Sequence, residues 1–161
     1  KSLARPLSGH VLIEDLKLAF ATDGVGSRAK LKEFVPRARE ALSQCSVNDN
    51  VEIFFWLAKC AKGSGDELDD ALMLAYFSYI YPEALSGSDS RTVRILRTCV
   101  GMLNKNKIQQ SVESSAQVEM LKMARSLFAA ALPRFCRRHG HLSTRELSLT
   151  LSVYARVYRE E

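Results

Sequence analysis

The chain is poor in residues that break or staple a fold, with only eight glycines, four prolines and four cysteines in 161 residues. That level of Gly and Pro excludes collagen-like and low-complexity segments. Cysteines stand at 45, 60, 99 and 136, none within four residues of another, so metal-knuckle and redox spacings are absent. They are expected to be free, buried thiols in a reducing compartment. No apolar run approaches the roughly 18 residues needed to cross a bilayer. No segment alternates apolar and polar residues over a strand length between hairpin turns, which argues against a β fold. The start, KSLARPLSGH, lacks Met and an apolar signal core, and reads as a processed end or a fragment. Its two basic and no acidic residues are those of a transit-peptide tail.

What is present is helical spacing throughout. In VLIEDLKLAFA, residues Val11, Leu12, Leu16, Ala19 and Phe20 recur at steps of three or four. Stop and start signals divide the chain at TDGVGS, SVNDN, KGSGD, LSGSDS and HGHLST. In DELDD, the acids Asp66, Glu67, Asp69 and Asp70 read as the solvated first turn of a helix, where the dipole favours them. The spacing predicts helices near 10–22, 27–44, 50–62, 66–85, 90–105, 115–138 and 143–159, with SVNDN capping the third.

Sliding the chain against itself aligns Leu18, Leu57 and Leu96 at a 39-residue offset, together with Ala19/Ala58, Gly24/Gly63 and Cys60/Cys99. A further 55 residues on, Leu151 takes the same slot, the excess falling in the polar stretch KNKIQQSVESSAQ. LMLAYFSYIYPEA aligns with RSLFAAALPRFCR through Phe77/Phe128 and Pro82/Pro133. The expected fold is therefore all-α: about seven helices in stacked antiparallel hairpins, an α-solenoid or short superhelix. It would form a single domain with units near 9–46, 48–87 and 88–140 and a half unit at 142–161. Such a stack explains NVEIFFWLAKCAKG, whose Phe54, Phe55 and Trp56 need neighbours on more than one side. One face carries Val51, Phe55 and Ala58, another Ile53, Trp56 and Cys60, and Trp56 is expected at a core or hairpin interface.

VNDNVEIFFWLAKCAKG and LSTRELSLTLSVYARV resemble the first helix of repeats in organellar RNA-associated proteins. These are the octotricopeptide and heptatricopeptide repeats and the related repeats of RAP-domain and FAST-kinase-like proteins. The shared pattern is a polar cap, Leu or Val, then an aromatic or Leu, and two Ala before Lys or Gly. It falls here on Asn50, Val51, Trp56, Ala58, Ala61 and Gly63, and on Ser143, Leu147, Leu151 and Ala155. Arg97 departs from it, standing where Ala is expected. The resemblance implies a non-catalytic subunit that binds RNA or scaffolds a ribonucleoprotein. It would act in RNA processing, editing or translation in the mitochondrial matrix, or alternatively in the cytoplasm.

Charge supports an anionic partner. Residues 1–88 hold 10 basic and 12 acidic side chains, net −2, while residues 89–161 hold 13 and 6, net +7. RTVRILR spaces Arg91, Arg94 and Arg97 three apart, Lys105 and Lys107 follow, and Arg134, Arg137, Arg138 and Arg145 gather around one hairpin turn. These nine are the candidate RNA-contacting residues, suited to phosphate rather than to base reading, because they do not recur at the repeat offset. An acidic protein would suit them equally. The competing reading is a protein–protein adaptor without nucleic-acid contact.

Other motifs yield to plainer readings. Gly24 and Gly26 in TDGVGSRAKLK lack GxxxxGK[ST] and a preceding strand, and read as an inter-helix turn. His10, His139 and His141, with Cys136, offer no finger spacing, so no metal is expected. There is no GxSxG and no Ser, His and Asp grouping, so neither a catalytic residue nor a cofactor is expected.

Overall fold

In the computed structural model, residues 9–23, 28–61, 70–103, 115–137 and 142–158 are described. They form seven helices and no strand: α1 Gly9–Asp23, α2 Arg28–Gln44, α3 Val47–Ala61, α4 Asp70–Ser86, α5 Asp89–Met102, α6 Ala116–Arg137 and α7 Thr144–Tyr158. The all-α expectation holds, and no described helix is long and apolar enough to cross a membrane. Two compact units divide the chain within α4, Lys1–Tyr76 and Phe77–Glu161.

Serine sets the start of four helices. Ser46, Ser88, Ser115 and Ser143 each accept a hydrogen bond from the backbone N–H three residues on, at 3.1–3.2 Å. Such a bond satisfies one of the donors a helix N-terminus leaves open. At α7 the box is reciprocal, Glu146 Oε2 accepting from Ser143 N at 3.1 Å. The third helix therefore begins at Val47, three residues before the sequence expectation, and Asn50 is not its cap. Asn50 is fully buried and its Nδ2 donates to the carbonyls of Leu42 and Cys45, closing the C-terminal end of α2.

In the first unit, α1, α2 and α3 pack on one another, most extensively α1 on α3. Gly9 lies against Asp49, Cys60 Sγ donates to Leu16 O at 3.6 Å, and Phe20 meets the Trp56 ring edge-on at 5.8 Å. Low numbers meet low numbers, so the two helices run parallel, with α2 returning between them. The core is Leu12, Leu16, Leu31, Ala38, Val51, Ile53, Phe54 and Leu57, each large side chain contributing about 1.5–3 kcal/mol. Tyr76, at the end of this unit, sends its hydroxyl to Ala38 O at 2.6 Å.

The second unit repeats the plan. Here α5 packs on both α6 and α7. Helix α6 runs antiparallel to α5, Asp89 and Thr92 meeting Arg134 while Met102 O accepts from Gln117. Helix α7 runs parallel to α5, Ser90 meeting Glu146 and Val93 sharing a cluster with Leu149.

The register of the repeat differs from the one read in the sequence. Starts at Val47 and Asp89 are 42 residues apart (89 − 47), and at that offset buried pairs with buried: Asn50/Thr92, Val51/Val93, Ile53/Ile95, Phe54/Leu96 and Leu57/Cys99. The 39-residue offset is three residues short, almost one helical turn, so it returns to nearly the same face and picks up similar residue types. Leu18 and Leu151 are accordingly not equivalents of buried Leu57 and Leu96; they are 66% and 69% exposed.

Candidate functional site

The basic residues sort by what the helices do with them. Arg134 leaves α6 one turn before its end, reaching the gap between α4 and α5. Its Nε lies 2.5 Å from Asp89 Oδ1, Nη1 donates to Leu85 O at 2.9 Å, and Nη2 to Thr92 Oγ1 at 2.7 Å. Thr92 Oγ1 donates in turn to Ala84 O at 2.6 Å. Guanidinium and carboxylate side chains are only 21% and 11% exposed. Arg134 therefore neutralises an acid of this chain and caps the last carbonyls of α4, and cannot also serve RNA without breaking that cap. Arg91 pairs with Glu83 at 2.5 Å across the same α4–α5 turn. Arg94 is half-buried on α5.

Arg97, Arg137 and Arg145 are exposed and have no ion-pair partner among the described residues. Arg137 stands one turn beyond Arg134, and Arg145 adjoins Glu146, whose carboxylate binds Ser90. Both thus belong to the end of the second unit where α5 begins; Arg97 lies two turns further along α5. Lys105, Lys107 and Arg138 fall outside the described residues, as do Gly24, Gly26, His139 and His141. His10 is exposed on α1.

Sequence reasoning missed the acids that consume the arginines. Glu83 and Asp89 flank the LSGSDS break, where a carboxylate on either side of a tight turn is within reach of a basic helix. Thr92 carries no signal at all in a single sequence.

The aromatic segment that the sequence sets beside Trp56 is covered by lysine as well as by helix. Trp56 and Phe55 are half-buried, in edge contact at 5.5 Å. The Lys59 ammonium lies 4.8 Å from the centroid of Phe55, 4.9 Å from Trp56 and 5.4 Å from Phe20, with Lys17 5.9 Å from Trp56. Cation–π attraction lets an exposed aromatic edge keep a polar coat. With Lys59 over them, the rings are an interface between α1 and α3 rather than a base-stacking platform.

Three cysteines behave as small apolar residues: Cys45, Cys60 and Cys99 are buried, and Cys136 is exposed. Burial pushes all three buried thiols up, most of all Cys99; at Cys45 the nearby Asp49 charge adds to it. No group of three or more His, Cys, Asp or Glu among the described residues is placed to hold a metal ion.

What remains unused on the surface is apolar. Leu147, Leu151 and Tyr154 form a stripe along α7 at 38%, 69% and 49% exposure, and Val11 and Leu18 form another on α1. Tyr154 meets Phe128 of α6 at 5.7 Å, and Leu132, one turn on from Phe128, is exposed too. Neither family models, curated proteins nor solved structures give a match to this chain.

Proposed function

We propose that this protein is a non-catalytic helical-repeat scaffold of a ribonucleoprotein, of the organellar hairpin-repeat kind, working in RNA processing, editing or translation in the mitochondrial matrix. The observation that supports it is the sorting of the arginines. Residues 89–161 carry net charge +7, and after internal pairs have taken Arg91 and Arg134, three exposed guanidiniums remain without an acid: Arg97, Arg137 and Arg145. Guanidinium groups held on rigid helices bind phosphate oxygens bidentately and displace counterions. Without a row of exposed rings, contact is with the RNA backbone, not with bases.

The test is binding of a structured RNA hairpin across a salt series. Arg97→Glu, Arg137→Glu and Arg145→Glu together should weaken binding and reduce the log–log salt slope by about 2–3, close to one per lost phosphate contact. Unchanged affinity and slope in the triple variant would remove the RNA reading. The protein–protein adaptor is the second reading. It is favoured by the uncovered stripes on α1 and α7, since large contiguous exposed apolar patches mark interaction surfaces.

A further inference from the structure

The two uncovered stripes occupy related places in the packing. Count each first helix of a hairpin from its opening residue: Gly9, Val47, Asp89 and Thr144. Where α1 meets α3, the earlier helix offers positions 1, 8 and 12 (Gly9, Leu16, Phe20), and the later one positions 3, 10 and 14 (Asp49, Trp56, Cys60). Positions 8 and 12 share one helical face, and 3, 10 and 14 another. The α5–α7 pair obeys the same rule: Leu96 and Val100 at positions 8 and 12, and Val153 and Val157 at 10 and 14, are all buried.

Two faces are left over. Helix α7 has nothing on positions 1, 8 and 12, and Thr144, Leu151 and Ala155 are exposed. Helix α1 has nothing on positions 3, 10 and 14, and Val11, Leu18 and Thr22 are exposed. The uncovered face of α7 is thus the kind that α1 presents to α3, and the uncovered face of α1 is the kind that α3 presents to α1. Charge agrees with this match. Helix α1 carries Glu14, Asp15 and Asp23 against Lys17, net −2; α7 carries Arg145 and Arg156 against Glu146, net +1.

We propose that α7 of one molecule receives α1 of a second copy, Leu151 seating between Val11 and Leu18 of that copy in the parallel arrangement α1 and α3 already use. Such an interface joins two different patches, so it is heterologous and propagates into short chains or a closed ring instead of stopping at a symmetric pair. Repeat stacks without polar capping faces are prone to this kind of growth.

Sedimentation or light scattering over a concentration series tests it, with helicity monitored by circular dichroism. The wild-type mass should rise with concentration past twice the 18.0 kDa monomer. Leu18→Glu and Leu151→Glu, both at exposed sites, should each be monomeric at every concentration. An equimolar mixture of the two variants should form a dimer and nothing larger, because one intact α7 face then meets one intact α1 face. A wild type that stays monomeric throughout the series overturns the proposal and leaves the stripes to a different partner. So does assembly abolished by Leu151→Glu but untouched by Leu18→Glu, which would mean α7 pairing with itself. RNA affinity plays no part in these outcomes.

Discussion

At the scale of single residues, the sharpest contrast lies between Arg134 and Arg137, three positions apart on one helix. Arg134 is held by a carboxylate, a carbonyl and a hydroxyl; Arg137 is exposed. Removing one member of a shielded ion pair strands the other, so Arg134→Ala should cost about 3 kcal/mol, while Arg137→Ala should stay within about 0.5 kcal/mol. Urea unfolding followed by circular dichroism reads both, and equal midpoints would refute the capping role of Arg134. A charge count cannot separate these two residues. The sequence shows that both are basic; only the path of the α4–α5 turn, which brings Asp89 and Thr92 beneath α6, decides which one is consumed.

Among the helices, boundaries were legible to within a few residues because each is bracketed by breakers with a physical job. The third helix was missed by three because SVNDN contains several residues able to cap, and Ser46 rather than Asn50 takes that role. Asn50 was instead drawn inside by the free carbonyls at the end of α2, a tertiary demand invisible in local sequence. Two glycines illustrate how much context matters. At Gly87 a Cβ would stand 2.7 Å from Glu83 O, whereas at Gly101 it would meet nothing within 4 Å. Gly101→Ala should therefore stabilise α5 by up to about 1 kcal/mol through helix propensity, and Gly87→Ala should destabilise, since a backbone oxygen has to move. Thermal melts that shift both variants in the same direction would contradict the described α4–α5 geometry.

For the whole chain, the fold class was legible and the repeat was legible up to a turn. Periodicity reports which residues share a face, not which of two adjacent turns is equivalent, so 39 and 42 residues give nearly the same pattern. The candidate site was legible only as a charge imbalance. The thiols provide a check across both units. With Cys45, Cys60 and Cys99 buried and Cys136 exposed, an aromatic disulfide reagent should titrate one cysteine rapidly under native conditions and all four in denaturant. Two or more fast native thiols would show that the packing around α3 or α5 is looser than described.

The serine at the head of each of four helices has a consequence for how such a chain can change. Because the starting point of a helix is written in one hydroxyl and the N–H three residues on, its phase does not depend on how much chain precedes it. The separation of Asp89 from Thr144 is 55 residues where that of Val47 from Asp89 is 42, yet the same positions turn inward. Segments joining the hairpins are therefore free to lengthen over evolutionary time, and an epitope or fluorophore spliced into the stretch between α5 and α6 should leave every helix face where it is.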